Sequence, residues 1–360
     1  KLLLDVGAEL DEAYPPNGWT PLFYATIRGR AAIAALLVEA GADVNMPTNR
    51  GITPLFRADG IEVAELLLHA GAKVNQVNNI GETPLHEAAR DGRHDVSSLL
   101  LEASADVNRA SHDGETPLHL VSRAGHVAVV KLLLSAGADA DAADQHGCTA
   151  LYSASLRRHA AVVHLLVAAG ADANRANHLG NAPLLAAVCS GRLDIAALLL
   201  EAAADVNRTS NGETPLLFAV CSGDLDLVKL LCSHGALRTG SEVAEATNDG
   251  FPRVAAWLAS TADCITPLHY PTLVPPERAR RLLRAGADLR AARSHGGHTP
   301  LSIACELSAR GVAPTGSTAR LIIVHHRIRQ WLSIARLASF LRRVCVRAAE
   351  RRRKRQRHEL

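Results

Sequence analysis

The chain has 360 residues, 48% hydrophobic but only 3% aromatic, with 26 glycines, 16 prolines and a formal net charge of +3. A core of this composition has to be built from Ala, Leu and Val, which suits thin stacked layers better than one large globular centre. No apolar run approaches the roughly 20 residues a membrane-spanning helix needs, and the seven cysteines, odd in number and without a Cys-x-x-Cys pair, give no disulfide framework or zinc site.

In chain order, Leu2, Leu3, Leu4, Gly7 and Ala8 read as a second helix and exit turn whose partner helix is absent from the sequence. Residue 1 is not Met, so it is not expected to be the native start, and an upstream targeting segment is unreadable. From Thr20 onward one pattern repeats. Its anchors are Thr20, Thr53, Thr83, Thr116, Thr149, Ala182, Thr214, Thr266 and Thr299, at spacings of 33, 30, 33, 33, 33, 32, 52 and 33 residues. The anchor Thr predicts an N-cap and the Pro after it sits at N1, where no backbone donor is lost. A short helix follows and stops near Gly92 or Gly125, residues free to adopt the left-handed stop. A second helix, carried by runs such as Val129, Val130, Leu132, Leu133 and Leu134, closes at Gly137. The polar Asp-Val-Asn stretch and tips such as Ser111 to Gly114 predict a hairpin-like finger. Two helices of about ten residues cannot bury their apolar faces alone, so each unit needs neighbours.

Two places break the rhythm. The 30-residue spacing shortens the inter-helix region after Thr53, at Phe56 to Gly60. The 52-residue gap holds a degenerate repeat anchored at Ser241, carrying Val243, Ala246, Gly250, Val254, Trp257 and Leu258 in register but with reduced fingers. The next repeat carries Pro271, Pro275 and Pro276, which a regular helix interior does not tolerate. A bend in the stack and the approach of a terminal cap are equal expectations here.

Thr-Pro-Leu-His at residues 83–86 and 116–119, followed by Gly-His, Leu-Leu-Leu and Gly-Ala-Asp, closely resembles the ankyrin repeat over roughly residues 1–310. The resemblance implies an all-α solenoid of stacked helix-turn-helix units with β-hairpin-like fingers, spanning residues 1–316. Within it are a partial first repeat (1–14) and the degenerate repeat (about 236–262), with a basic amphipathic helix and Arg-rich tail at 317–360. It also implies a non-catalytic scaffold or adaptor that binds a protein partner in the groove between fingers and first helices. On that mapping the fingertip residues are Trp19, Ile52, Ile80, His112, His146 and Leu179. The groove-facing first-helix residues are Tyr24, Ile27, Glu87, Arg90, Leu120, Arg123, Leu156 and Phe218. Asn45, Asn108 and Asn207 resemble positions that are hydroxylated in some ankyrin proteins, although turn geometry explains them as well.

The residues offer no competing chemistry. No phosphate-binding loop, nucleophile elbow or kinase signature occurs, and the recurring Asp residues follow the recurring turn. His86, His119 and His269 occupy the repeat's own His position, without the third ligand a zinc site needs. No enzyme activity, cofactor, metal or small-molecule substrate is expected. Unpaired cysteines in apolar helices fit a reducing compartment, cytoplasmic or nuclear, and the stack is expected to be a monomer.

Charge separates the tail from the body. Residues 317–360 hold 13 Lys and Arg against two Glu, net +11, while the first 316 residues hold 26 basic and 34 acidic residues, net −8. Leu321 to Cys345 carry an apolar stripe at helical steps, and residues 319–335 read as a cap on the stack. Three readings stay open beyond it. Trp331 and Phe340 would anchor a calmodulin-type or membrane-surface helix. Leu341 and Cys345 weakly resemble the elongin-binding box of ankyrin repeat and SOCS box proteins, implying a substrate receptor of a cullin-type ubiquitin ligase. Arg351, Arg352, Arg353, Lys354 and Arg355 would engage an anionic partner, namely nucleic acid, an import receptor or a membrane surface.

Overall fold

The computed structural model describes residues 9–261, 276, 279–280, 283, 299–309, 317–319 and 321–325. Among these residues every named element is a helix. Strand pairing is limited to isolated antiparallel bridges at Tyr14–Trp19, Ala143–Thr149 and Ser210–Glu213, so the fingers are turns closed by bridges and not extended ladders. The chain divides into two compact units, residues 1–222 and 223–360, a division that falls inside the Thr214 repeat.

In the first unit the helix pairs are Pro21–Ile27 with Ala31–Glu39, Pro84–Arg90 with His94–Glu102, Pro117–Ala124 with Val127–Ser135, Ala150–Leu156 with Ala160–Ala168, and Pro183–Cys189 with Leu193–Glu201. A 3-10 helix, Pro54–Arg57, pairs with Ile61–His69, and Pro215–Cys221 ends the unit. First helices pack on first helices and second on second from one repeat to the next. Two leucine rows form the core: Leu22, Leu55, Leu85, Leu118, Leu151, Leu184 and Leu216 from first helices, and Leu67, Leu100, Leu133, Leu166 and Leu199 from second helices, all fully buried. Each layer's apolar face is covered only by its neighbours, the condition that makes such helices stable at this length.

Thr20, Thr149 and Thr214 cap as the sequence predicts, whereas Thr53 makes no side-chain cap bond. Thr20 Oγ1 accepts from the Phe23 amide at 3.1 Å, and Thr149 and Thr214 do the same for Tyr152 and Leu217 at 3.2 Å each. Ala182 holds the same extended backbone, φ −87° and ψ 162°, with no side chain to cap. Ala182→Thr is therefore expected to raise stability by about 1 kcal/mol, read as a higher urea midpoint at unchanged slope. A lower midpoint would mean that the hydroxyl and methyl do not fit there. Gly125 has φ +85°, and a Cβ on it would lie 2.5 Å from the His159 ring, so both backbone and packing require glycine.

The Asp-Val-Asn turns form a ladder of side-chain bonds. Asn45 Oδ1 accepts from the Lys73 amide at 2.8 Å while its Nδ2 donates to the Gly71 carbonyl at 3.2 Å, tying one repeat to the next. Asn75, Asn108 and Asn174 do likewise. Asp141 and Asp11 supply the acceptor half, to Asp172 at 2.8 Å and Asp43 at 3.0 Å.

In the second unit the degenerate repeat is a helix pair, Glu242–Asn248 and Pro252–Ser260. Ser241 is in helical conformation and makes no side-chain cap. The buried Glu242 carboxylate instead accepts from the Thr239 amide (2.7 Å), the Gly240 amide (2.9 Å) and the Thr239 hydroxyl (3.0 Å). Burial opposes its ionisation, but these bonds outweigh that and hold its pKa below the ordinary carboxyl value. Arg238 donates to the Leu258 and Thr261 carbonyls and the Thr261 hydroxyl, with its guanidinium 5.6 Å from the Trp257 ring centre.

Farther on, Thr299 caps the helix Pro300–Ala309. Ala304 is buried with Ala279, Leu283, Ala319 and Ile322, and Leu301, Leu307, Leu321 and Ile323 pack against that cluster. The Thr266 anchor, His269, Pro271, Pro275 and every residue from 326 onward lie outside the described residues.

Candidate functional site

The shortened repeat at Thr53 borders a cleft in the first unit. Three residues fewer leave only Pro54–Arg57 as a first helix, after which Ala58 turns away at φ −59°, ψ 110°. The Asp59 amide is bound to the Thr26 carbonyl at 3.2 Å, and Gly60 at φ +100° leads into Ile61–His69. The missing turn exposes carbonyls that a full helix would satisfy internally. Arg93, from the following repeat, reaches across to them: Nη1 donates to the Ala58 carbonyl and Nη2 to the Phe56 carbonyl, both at 2.9 Å, with Asp91 at 3.4 Å as counter-ion. Burial lowers the Arg93 pKa, with Asp91 and Glu87 opposing it, and a guanidinium so placed stays charged.

Arg93 occupies a recurring station. At the same place in later repeats His126 Nε2 meets the Arg90 carbonyl at 3.2 Å, His159 Nε2 meets that of Arg123 at 3.1 Å, and Arg192 Nη1 donates to that of Arg158 at 3.0 Å. Where the preceding helix is short, the longer side chain spans the gap and makes two bonds.

The cleft that remains has a volume of about 790 Å³. Trp19, Asn49, Arg50 and Ile52 line it from the fingers, and Phe23, Ile27, Arg57, Asp59 and Arg93 from the helix side. Trp19 and Phe23 rings lie 5.5 Å apart in tilted contact, a geometry that favours aromatic pairs. Trp19, Ile27 and Ile52 therefore line one cleft.

Beyond the cleft the same face carries a closed charge network. Arg57 pairs with Glu87 at 2.8 Å, Arg90 with Glu87 at 2.7 Å and with Glu82, and Arg123 with Glu115. Three arginines thus meet three glutamates, with Glu82 and Glu87 buried. Such a strip offers shape and hydrogen-bond geometry and no net field. Leu156 is exposed and Phe218 partly buried farther along, while Ile80, His112, His146 and Leu179 project from fingertips. Successive fingers are tied by backbone bonds, His112 N–H to the Ile80 carbonyl and His178 N–H to the His146 carbonyl at 2.9 Å each, which fixes the row of tips.

Three of the expected contact residues sit elsewhere. Leu120 is packed in the core and offers a partner nothing, because the fourth position after the anchor points between adjacent first helices. Glu87, at the same position, is buried and reaches the surface only through its two arginine partners. Tyr24 is exposed on the face turned toward residues before Thr20, with Tyr14, Ile33 and Leu37. Sequence reasoning passed over Arg50, Arg57 and Arg93, although the 30-residue spacing and the replacement of Gly-His by Gly92-Arg93 were visible. Trp331, Phe340, Leu341, Cys345 and Arg351 to Arg355 lie outside the described residues. Among the described residues no group of three or more His, Cys, Asp or Glu is placed to hold a metal.

Residues 1–78, 59–111, 106–177 and 154–239 match the family described as ankyrin repeats (3 copies). The chain belongs to the ankyrin-repeat family. A segment of 51 residues is 45% identical to the mouse (Mus musculus) fibronectin type 3 and ankyrin repeat domains 1 protein, covering 14% of this chain and 15% of that protein. Ankyrin repeats are generally protein–protein interaction modules, and the family is generally non-catalytic.

Proposed function

We propose that the chain is a non-catalytic scaffold that holds a protein partner along the finger and first-helix face of residues 1–222, with the cleft at Trp19, Ile52 and Arg57 as the principal seat. The observation that carries this reading is the cleft itself, about 790 Å³, in which Trp19, Phe23, Ile27 and Ile52 stand among a mainly polar lining of Asn17, Asn49, Arg50, Arg57, Asp59, Asp91 and Arg93. Buried aromatic and arginine contacts dominate the energetics of protein interfaces. The paired charges at Arg57, Arg90 and Arg123 favour partners by geometry, since an attracted charge would have to displace an existing glutamate. Exposed Leu156 and Leu179 extend the apolar contact toward later repeats.

Proximity labelling in the native cell with the unaltered chain, a Trp19→Ala/Ile52→Ala variant and a Val127→Ala control tests this. Partners are expected to be depleted about tenfold or more by the double substitution and kept by the control. An identical partner set for all three would remove the assignment.

A further inference from the structure

Five charged side chains line the cleft, and pairing within the fold accounts for three of them. Arg57 meets Glu87 at 2.8 Å, and Arg93 meets Asp91 at 3.4 Å while donating to the Phe56 and Ala58 carbonyls. Arg50 and Asp59 differ. Both are exposed, and among the described residues neither side chain has a hydrogen bond or an ion pair. Their backbones, in contrast, are fixed. The Arg50 carbonyl accepts from the Asn79 amide at 3.1 Å, and the Asp59 amide donates to the Thr26 carbonyl at 3.2 Å. Arg50 belongs to the finger wall, beside Ile52, and Asp59 to the helix wall, just past Pro54–Arg57. The cleft therefore holds one uncommitted cation and one uncommitted anion on opposite walls, with Trp19 and Ile52 as apolar surface in the same lining.

That arrangement has one complement. Resting on the scaffold reading above, we infer that the cleft takes a peptide segment of the partner that carries an acidic side chain for Arg50, a basic side chain for Asp59 and an apolar side chain for Trp19 and Ile52. A uniformly acidic segment would bring like charge to Asp59 and a uniformly basic one to Arg50, and such juxtaposition weakens association. An uncharged segment would strip water from both side chains and return no partner to either. Arg50 can grip a carboxylate through two parallel N–H bonds, which fixes orientation as well as sign. The pair also sets direction, since the segment meets the finger wall with its acid and the helix wall with its base in one orientation only. Beyond the cleft, Arg90 and Arg123 are already matched by Glu82, Glu87 and Glu115, so this discrimination is local to Arg50 and Asp59.

Selection of a random dodecapeptide phage library on the full chain tests this. Peptides that lose binding to Trp19→Ala/Ile52→Ala are the cleft binders. They are expected to carry one acidic and one basic side chain around an apolar one, and to bind Arg50→Glu on the order of tenfold or more weakly in fluorescence anisotropy. Changing the peptide's acidic residue to Lys is expected to restore binding to Arg50→Glu, which also shows that variant to be folded, and to weaken binding to the original chain by a similar factor. Asp59→Lys with the peptide's basic residue changed to Glu is expected to behave reciprocally. Cleft binders without this charge pattern, or with equal affinity for Arg50→Glu, would overturn the inference and leave the cleft as the seat. Peptides that all bind Trp19→Ala/Ile52→Ala as tightly as the original chain would displace the cleft itself, and the inference with it.

Discussion

Replacing His86 or His119 with Ala is expected to cost about 2–3 kcal/mol each, read by urea unfolding, because each ring joins a cap to an inter-repeat bond in the core. His86 Nδ1 accepts from the Thr83 amide at 3.0 Å and lies 2.8 Å from its hydroxyl, and Nε2 meets the Glu115 carbonyl at 3.1 Å. His119 repeats this with Thr116 at 3.1 Å and the Cys148 carbonyl at 3.0 Å. The carbonyl fixes the proton on Nε2, leaving Nδ1 as acceptor. Both rings are buried, and burial lowers both pKa values below 6.5 despite the raising effect of the carbonyl bonds.

The pH dependence follows directly. The unfolded chain protonates these imidazoles near pH 6.5 and the folded chain only at lower pH, so their contribution is complete above that value. It is lost as pH falls toward the folded pKa, at about 1.4 kcal/mol per pH unit for each ring. The double variant His86→Ala/His119→Ala should unfold at lower urea at pH 7.5 and show a flatter stability profile between pH 6.5 and 5. A parallel profile would place the acid sensitivity elsewhere.

Arg93→Ala is expected to cost about 3 kcal/mol, since it strands the Phe56 and Ala58 carbonyls and leaves a void beside the short helix. Arg93→Lys should recover less than half, because one ammonium lacks the fork that meets both oxygens. These losses should appear in the unfolding midpoint and as faster amide exchange at residues 54–60, while exchange at residues 150–170 stays close to that of the original chain. Equal loosening of both segments would show that Arg93 acts through global stability and not through the cleft wall. Partner capture should fall with Arg93→Ala in step with Trp19→Ala/Ile52→Ala if the cleft is the seat.

Much of the architecture was legible before any coordinates. The Thr anchors, the leucine rows and the left-handed glycines are local signals whose physics lies within a few residues, and apart from Thr53, which makes no side-chain cap bond, they produced the caps, buried rows and stops expected of them. The Asp-Val-Asn turn was also readable as a turn. That Asn45 spends both ends of its amide on the next repeat was not, because its partners lie 26 and 28 residues away. The fourth position after the anchor was misassigned for a related reason. A helix of seven or eight residues has too little periodicity to tell a groove-facing residue from one wedged between neighbours, so Leu120 and Glu87 looked exposed until the adjacent helices were in place.

By itself the sequence determined the repeat, its length, its caps and the family, because these rest on short-range propensities copied many times over. The tertiary structure decided the consequences of the exceptions. A three-residue deletion left carbonyls at Phe56 and Ala58 that Arg93 of the next layer spans, and Leu120 and Glu87 left the surface only because helices of adjoining layers cover them. Exposure in a stacked repeat is a property of neighbours, and neighbours are set by packing between units some thirty residues apart.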